Sequence, residues 1–387
     1  MSGIVLSASV RQNLLSLQST ADLLATTQGR LASGKKVNTA LDNPTNFFTA
    51  EGLDNRASDI HNLLDGIGNG VQVLQAANTG LTSLQKLVDT AKSIANQVLQ
   101  TTTGYTSKSS TASSALPAGS TAANLVDGVA IKSGETIAIA ATTGIPAFSI
   151  TLGASESLAQ LNTSLAASNL TASLNSSNQL VITTTNDAAS STIGAVTLTA
   201  AGTATFAAAS PPVADANSQA IRSSLVSQYN NIIAQITTTS QDSSFNGINL
   251  LFGDDLKLTF NETGKSVLNV PGVTYDAAGL GLGPLTSGTD FLDNNSANAV
   301  IAKVTAASDT LRSEASALGS NLSVVQIRQD FAKNLITVLQ TGSSNLTLAD
   351  SNEEAANSQA LSTRQSIAVS ALALSNTSQQ SVLQLLR

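Results

Sequence analysis

Apolar residues recur every three or four positions at both ends of the chain. Near the N-terminus they follow a four-three spacing, broken only by the polar Gln28: Val10, Leu14, Leu17, Ala21, Leu24 and Leu31. Near the C-terminus the apolar face is wider: Leu361, Ala368 and Leu372 in one row, Ile367, Ala371 and Leu374 in a second, then Val382, Leu385 and Leu386. This spacing is typical of helices that pack along other helices. We therefore expect the terminal helices to pair with each other. The wide apolar face of the C-terminal helix is expected to contact other copies of the protein.

Two further long helices are predicted inside this pair. The first follows an apolar row from residue 60 to residue 98, and it includes Ile60, Leu64, Val71 and Leu74. Gly66, Gly68 and Gly70 each weaken helix propensity by about 1 kcal/mol relative to Ala, but the apolar spacing continues through them. The second helix runs from about 294 to 340, and its apolar row includes Leu311, Leu318 and Leu322. Residues 35–56 are expected to be irregular, with a turn at 42–45.

The middle of the chain has a different character. Residues 101–213 are rich in Ser, Thr, Ala and Gly, and they contain β-like runs at 136–139, 148–152, 180–184 and 195–198. A short helical pattern at 158–165 separates the second run from the third, so the order β-β-α-β-β predicts a small separate module. A helix is expected to resume at 221–236, and residues 245–275 are predicted to form a β-hairpin. The fold class is therefore mainly α, with long antiparallel coiled-coil-like helices from both termini and a small α+β insert.

Composition excludes several classes of function. The chain has 387 residues, of which 11% are charged, and its net charge is -7. Charged residues usually make up about 25% of a globular protein, so this surface suits close packing between subunits. The acidic balance and the lack of Lys/Arg clusters argue against a nucleic-acid partner. There is no Cys, no apolar run near the ~18 residues of a membrane span, and no pattern of a secretory signal peptide.

The candidate chemical groups all have a simpler structural interpretation. His61 is the single His, and without Cys or a second His it does not match the usual metal sites. The acidic pairs Asp254-Asp255 and Glu353-Glu354 are expected at a turn or helix start, where carboxylates are common. The Gly-rich stretch 279–283 has no βαβ context for phosphate binding. We therefore predict no catalytic, cofactor-binding or metal-binding residues.

Several ordered stretches near both ends match a known family: 31–40 (LASGKKVNTA), 69–77 (NGVQVLQAA), 245–247 (FNG), 349–355 (ADSNEEA) and 381–387 (SVLQLLR). In these stretches the chain resembles bacterial flagellin, the subunit of the flagellar filament. The resemblance covers about 1–100 and 215–387, and the insert at 119–200 is similar to a β-rich module of flagellins and hook-associated proteins.

The resemblance implies a non-enzymatic subunit that is secreted through the flagellar type III channel and forms a homopolymer. Residues 1–40 and 346–387 would form the inner tube, residues 41–104 and 214–345 the spoke domain, and residues 105–213 an outer domain. The terminal apolar residues would then pack between subunits, and Ile60, Leu64, Val71, Leu74, Leu311, Leu318 and Leu322 within the spoke. Implied partners are an export chaperone at the C-terminal helix, hook-associated proteins and cap proteins.

Two other functions remain open from the sequence. A hook–filament junction protein would share the same terminal helices, and a surface-binding protein would act through the insert.

Four arginines lie on or beside the terminal stripes: Arg11, Arg30, Arg364 and Arg387. We expect them to form ion pairs between subunits, which set register more than stability because exposed pairs contribute only ~0–1 kcal/mol each.

Overall fold

The computed structural model describes residues 8–199 and 202–385. The helices in these ranges are α1 (Ala8–Ser33), α2 (Pro44–Gln100), α3 (Leu158–Leu165), α4 (Ala216–Asp242), α5 (Asn294–Thr347) and α6 (Ser351–Leu385). The strands are β1 (Tyr105–Ser107), β2 (Ser110–Ala112), β3 (Thr136–Ile139), β4 (Phe148–Thr151), β5 (Leu170–Leu174), β6 (Leu180–Thr184), β7 (Val196–Leu198), β8 (Val213–Ala214), β9 (Leu256–Thr259) and β10 (Val267–Val270). The chain divides into two compact units, the first comprising residues 1–70, 258–268 and 324–387, and the second comprising 71–257 and 269–323.

The first unit contains the paired terminal helices. Helix α1 packs along α6, as the apolar spacing predicts. A small core joins the beginning of α2 to the end of α5: Ala57, Ile60, Ala332, Ile336 and Leu339, with Leu53, Leu64 and Leu335 packed against them. These residues recur at helical spacing, so one face of each helix is withdrawn from water.

The expectation of an irregular stretch over residues 35–56 is wrong beyond residue 43. Helix α1 ends at Ser33, and Gly34 adopts a left-handed conformation (φ +67°) that closes the helix. Helix α2, however, already begins at Pro44. The Asn43 side chain accepts a hydrogen bond from the backbone N–H of Asn46 at 3.0 Å, so Asn43 caps the helix. Pro44 occupies the first helical position, where its missing N–H costs nothing; an Asn-Pro pair that signals a turn is therefore a helix start here.

Helix α2 continues through Gly66, Gly68 and Gly70, as predicted. At Gly70 an added Cβ would lie 2.3 Å from Cδ2 of Leu258 on β9 and would displace that side chain. At Gly66 an added Cβ would meet nothing within 4 Å. Gly70 therefore permits the hairpin to approach the helix closely, whereas Gly66 has no such role.

The insert in the second unit contains two three-stranded antiparallel sheets, ordered β2-β6-β5 and β4-β3-β7, and β1 pairs with β8 where the insert begins and ends. The four predicted strands and helix α3 are present, each within one residue of its expected bounds. Strand β5 was not predicted, although its buried and exposed positions alternate; in Leu170-Thr171-Ala172-Ser173-Leu174 the central inward position is only an Ala, so the apolar signal is weak. The fully buried core includes Leu125, Ile131, Ile137, Leu161, Leu165 and Leu180.

The edge strand β5 is closed by a side chain. The carboxamide of Asn162 in α3 donates from Nδ2 to the carbonyl of Ala172 at 2.9 Å and accepts from the N–H of Ala172 at 2.6 Å. These are the two bonds that a neighbouring strand would make at this position. On the other side of the same sheet, Thr111 Oγ1 donates to the carbonyl of Ala207 at 2.6 Å.

Arg222 on α4 connects the end of α2 to the segment before α5. Its side chain is buried, and its guanidinium donates to three carbonyls: Phe291 at 2.7 Å, Thr102 at 3.0 Å and Val98 at 3.3 Å. Val98 lies in the last turn of α2 and Thr102 in the segment that follows it. Burial lowers the pKa of Arg222 and the nearby carboxylate of Asp293 opposes this effect; the guanidinium remains charged because its ordinary pKa is above 12.

The remaining turns and ends agree with the sequence pattern or extend it. Phe245 and Ile248 exchange backbone hydrogen bonds across Asn246 and Gly247, both in left-handed conformations, so a tight turn lies at the start of the segment 245–275. Strands β9 and β10 pair as the predicted hairpin. Helix α5 continues to Thr347, beyond the expected end near residue 340.

Candidate assembly surface

The seam between α1 and α6 is only half apolar. The least exposed positions of α1 follow a three-four spacing in which apolar and polar side chains alternate: Val10, Asn13, Leu17, Thr20, Leu24 and Thr27. On α6 the same spacing gives Ser358, Leu361, Gln365, Ala368, Leu372 and Ser375. Polar residues at seam positions reduce the stability of paired helices. The intramolecular contact therefore withdraws only part of the available apolar surface from water.

Several large apolar side chains of these two helices lie outside the seam. We call them the outer apolar residues: Leu14, Leu15, Leu23 and Leu31 on α1, and Ile367, Val369 and Leu374 on α6. The exposed fraction reaches 72% for Leu374 and 67% for Leu15. A concentration of exposed Leu, Ile and Val on one helix pair marks a surface for interaction with other protein.

The predicted terminal residues therefore fall into three groups. Four lie in or beside the seam: Val10, Leu17, Ala21 and Leu24. Five are exposed: Leu14, Leu31, Ile367, Ala371 and Leu374. The side chains of the other three, Val382, Leu385 and Leu386, lie outside the described part of the chain. Sequence periodicity did not single out Asn13, Thr20 and Thr27, because polar residues carry no hydrophobic signal.

The residues predicted to pack in the spoke occur in both units. Ile60 is buried and Leu64 half-buried in the small core of the first unit. In the second unit four are buried, Val71, Leu74, Leu311 and Leu318, and Leu322 is half-buried.

The linkers next to the terminal helices are hydrogen-bonded to each other. The backbone N–H groups of Lys36 and Val37 donate to the carbonyl of Thr347, at 2.7 and 3.3 Å, and the N–H of Ala349 donates to the carbonyl of Gly34 at 3.0 Å. These bonds fix the end of α1 relative to the start of α6.

An ion pair lies at the same junction. Arg30 Nη1 is 3.4 Å from Oε1 of the buried Glu354. The expectation that Arg30 pairs between subunits is therefore corrected, because its partner belongs to the same chain. Glu354 is the second member of an acidic pair, and its carboxylate near the N-terminus of α6 is also favoured by the helix dipole.

The turn between α1 and α2 is ordered by Asp42. Its Oδ2 accepts the backbone N–H groups of Asn38 and Thr39, both at 2.9 Å, and the hydroxyl of Thr39 at 3.2 Å. The backbone N–H of Thr39, followed by that of Asn38, lowers the pKa of this carboxyl below its ordinary value. Asp42 is therefore ionised at neutral pH. The side chain of the adjacent Leu41 lies in solvent, with 95% of the residue's surface exposed.

The other acidic pair has a structural role. Asp254 Oδ2 accepts the N–H of Asn249 at 2.8 Å, and Asp255 Oδ1 accepts the N–H of Gly272 at 3.0 Å. Both carboxylates therefore hold loops beside the hairpin.

His61, the single histidine, is exposed on α2. Within residues 8–199 and 202–385, no group of three or more His, Cys, Asp or Glu residues is arranged to hold a metal ion.

None of the helices in the described ranges is both long enough and apolar enough to cross a membrane.

A fold whose two ends pair as long helices and leave apolar side chains in solvent is typical of a structural protein that assembles with other copies. That is the class of protein that the geometry defines.

Comparison with known proteins identifies the family. Residues 6–130 match the bacterial flagellin N-terminal helical region, and residues 301–386 match the bacterial flagellin C-terminal helical region; together these cover more than half of the chain. The chain therefore belongs to the bacterial flagellin family.

Individual relatives agree with this assignment. The chain is 32% identical over 165 residues to flagellin FljM and 30% identical over 172 residues to flagellin FljO, both of Caulobacter vibrioides. These alignments cover 42% and 44% of this chain, and 59% and 62% of the relatives. It is also 38% identical over 90 residues to flagellin A of Rhizobium meliloti, which is 23% of each chain. The chain thus spans about three-fifths of the length of the Caulobacter relatives it matches.

Proposed function

We propose that this chain polymerises into the helical filament of a bacterial flagellum and serves swimming motility as a structural subunit without catalytic activity. The observation that carries the proposal is the contrast between the seam and the outer apolar residues. Half of the seam positions are polar, while seven large apolar side chains on the same two helices face solvent. Neighbouring copies that cover those side chains supply the burial that the single chain lacks.

In this proposal the parts of the chain have different tasks. Residues 1–40 and 346–387 form the inner tube, residues 41–104 and 214–345 form the spoke layer, and residues 105–213 form an outer domain. The exposed terminal residues pack between subunits, and Val10, Leu17, Ala21 and Leu24 pack in the α1–α6 seam of the inner tube. Secretion to the cell exterior precedes assembly, with an export chaperone on the C-terminal helix and with hook-associated and cap proteins at the filament ends.

The experiment that tests the proposal is electron microscopy of the purified full-length chain under polymerising salt. A parallel sample contains a chain that lacks residues 1–34 and 361–387. We expect long uniform filaments from the full-length chain alone. Soluble particles in both samples, even after addition of filament seeds, would refute the proposal.

A matched pair of variants separates terminal packing from a general loss of exposed apolar surface. Ile367→Ser combined with Leu374→Ser removes two exposed residues of α6. Val129→Ser combined with Val213→Ser removes two side chains of comparable exposure in the insert segment. We expect filaments to be lost in the first variant and retained in the second.

A further inference from the structure

A cleft of about 220 Å³ lies in the first unit between α2, the end of the hairpin and α5. Ile60, Phe260 and Leu335 give it apolar walls, and Phe331, 57% exposed, lies at its edge. An apolar cavity of about 150 Å³ is large enough to hold benzene. The cleft is therefore large enough for a further branched aliphatic side chain, and none of the described residues fills it.

The rim of this cleft carries positive charge. Arg56 Nε is 2.8 Å from Glu262 Oε1, so this arginine is neutralised. The Arg328 guanidinium lies 5.7 Å from the centroid of the Phe260 ring, and no carboxylate among the described residues is within ion-pair distance of it. The rim thus has one positive charge without an acidic partner, which favours an occupant with an adjacent carboxylate.

Such an occupant is present elsewhere on the same unit. Leu41 is the third residue of a tight turn in which the N–H of Asp42 donates to the carbonyl of Thr39 at 3.1 Å. The Asp42 carboxylate holds the same turn through the N–H groups of Asn38 and Thr39. Leu41 is therefore an apolar knob on a fixed turn with an ionised carboxylate beside it. Because the turn is already ordered, little conformational entropy is lost when the knob is buried.

The knob cannot fill the cleft of its own chain. Pro44 begins α2 just after the turn, and Ile60 lies in the same helix roughly 24 Å further along at a rise of about 1.5 Å per residue. Since both features are fixed to one helix in one unit, this separation does not close. The occupant must come from a second copy.

We propose that Leu41 of one copy inserts into the cleft beside Ile60 and Phe331 of a neighbouring copy, with Asp42 facing Arg328. The inference rests on the proposed polymerisation and specifies one contact within it. Knob and cleft are different surfaces of the same chain, so the contact is heterologous. Repeated through a rotation that does not close, a heterologous contact generates a helical fibre rather than a ring.

Disulfide cross-linking tests this contact without background, because the chain contains no Cys. Full-length Leu41→Cys and Phe331→Cys chains are mixed in equal amounts, polymerised and oxidised. If every knob faces a neighbour's cleft, about half of the chains can be recovered as cross-linked dimers after random mixing. The matched control replaces Phe331→Cys by Val338→Cys, a 65% exposed residue on the same helix. It lies about 10 Å further along, beyond the ~4 Å Cβ separation of a disulfide.

The outcomes separate the contact from polymerisation itself. Dimers in the pelleted filaments of the first mixture, with at least fivefold fewer in the control, support the contact. Filaments without dimers, dimers at equal yield in the control, or dimers at equal yield in the soluble fraction overturn it. Failure of the unmodified chain to form filaments overturns the proposed function as well.

A second measurement does not depend on disulfide geometry. Leu41→Ser is expected to raise the critical concentration for polymerisation about tenfold, because the knob loses its apolar surface, whereas Leu41→Met keeps it near the original value. Neither substitution touches the folded core, since Leu41 is 95% exposed. An unchanged critical concentration for Leu41→Ser overturns the contact.

Discussion

The exposed residues of α6 allow the energetics of polymerisation to be tested at a single side chain. Leu374 has 72% of its surface exposed. Complete burial of a leucine side chain contributes about 1.5–3 kcal/mol, so covering the part that is still exposed contributes about 1–2 kcal/mol. Leu374→Ser removes most of this contribution from each subunit added to the filament. Since about 1.4 kcal/mol changes an equilibrium constant tenfold, the critical concentration should rise by about 5- to 30-fold.

The assay measures the protein left in the supernatant after filaments have been pelleted, over a range of total concentrations. Thermal unfolding of the soluble chain is measured in parallel. Val129→Ser is the matched control, because Val129 is 57% exposed but lies in the insert segment; its critical concentration should not change. The reasoning is refuted if Leu374→Ser polymerises at the original concentration, or if it acts by lowering the unfolding temperature of the soluble chain.

Three further predictions concern the fold. Gly70→Ala should reduce the free energy of unfolding by about 1–3 kcal/mol, because the added Cβ overlaps Leu258. Gly66→Ala, whose Cβ enters open space, should raise the free energy of unfolding by about 0.5–1 kcal/mol. Urea unfolding of both variants measures the two changes, and equal effects would contradict the argument. Arg222→Met should reduce the free energy of unfolding by about 3 kcal/mol, because the carbonyls of Phe291, Val98 and Thr102 lose their donor and the first two of these bonds are buried. Limited proteolysis should show earlier cleavage near residues 101–105, and resistance equal to that of the unmodified chain would exclude this role. Burial, followed by the charge of Asp290, raises the pKa of Tyr229 to about 12 from an ordinary value of 10.0. The neutral Tyr229 side chain therefore contributes stability that is complete below pH 10 and is lost as the pH rises to 12. The free energy of unfolding measured against pH should show this loss, and Tyr229→Phe should reduce it.

The sequence predicted the helices well because their apolar rows are long. Rows that extend over many turns identify α2 and α5 despite internal glycines and establish that the chain ends pair. Boundaries depend on short-range chemistry instead: the Asn43-Pro44 pair occurs both in turns and at helix starts, and only the hydrogen bond to Asn46 distinguishes the two. Strand β5 was missed for a related reason, since its short alternation carries little hydrophobic signal.

The candidate surface was less predictable than the fold. The sequence places Val10, Leu14 and Leu17 in one stripe, but the structure keeps Val10 and Leu17 in the seam and leaves Leu14 exposed. Periodicity identifies a set of compatible positions on a helix, and the partner helix determines which of them it covers. The cleft around Phe331 was not predictable at all, because its walls come from three segments far apart in the sequence.

The two hydrogen bonds between Asn162 and Ala172 matter when many copies of the insert lie close together. If identical modules are displayed side by side at high local concentration, each strand edge with free backbone groups is a potential site for unwanted pairing with the next module. By occupying both the N–H and the carbonyl of Ala172, Asn162 acts as a one-residue substitute for the missing strand. Neighbouring modules can then be brought close together without pairing through that edge.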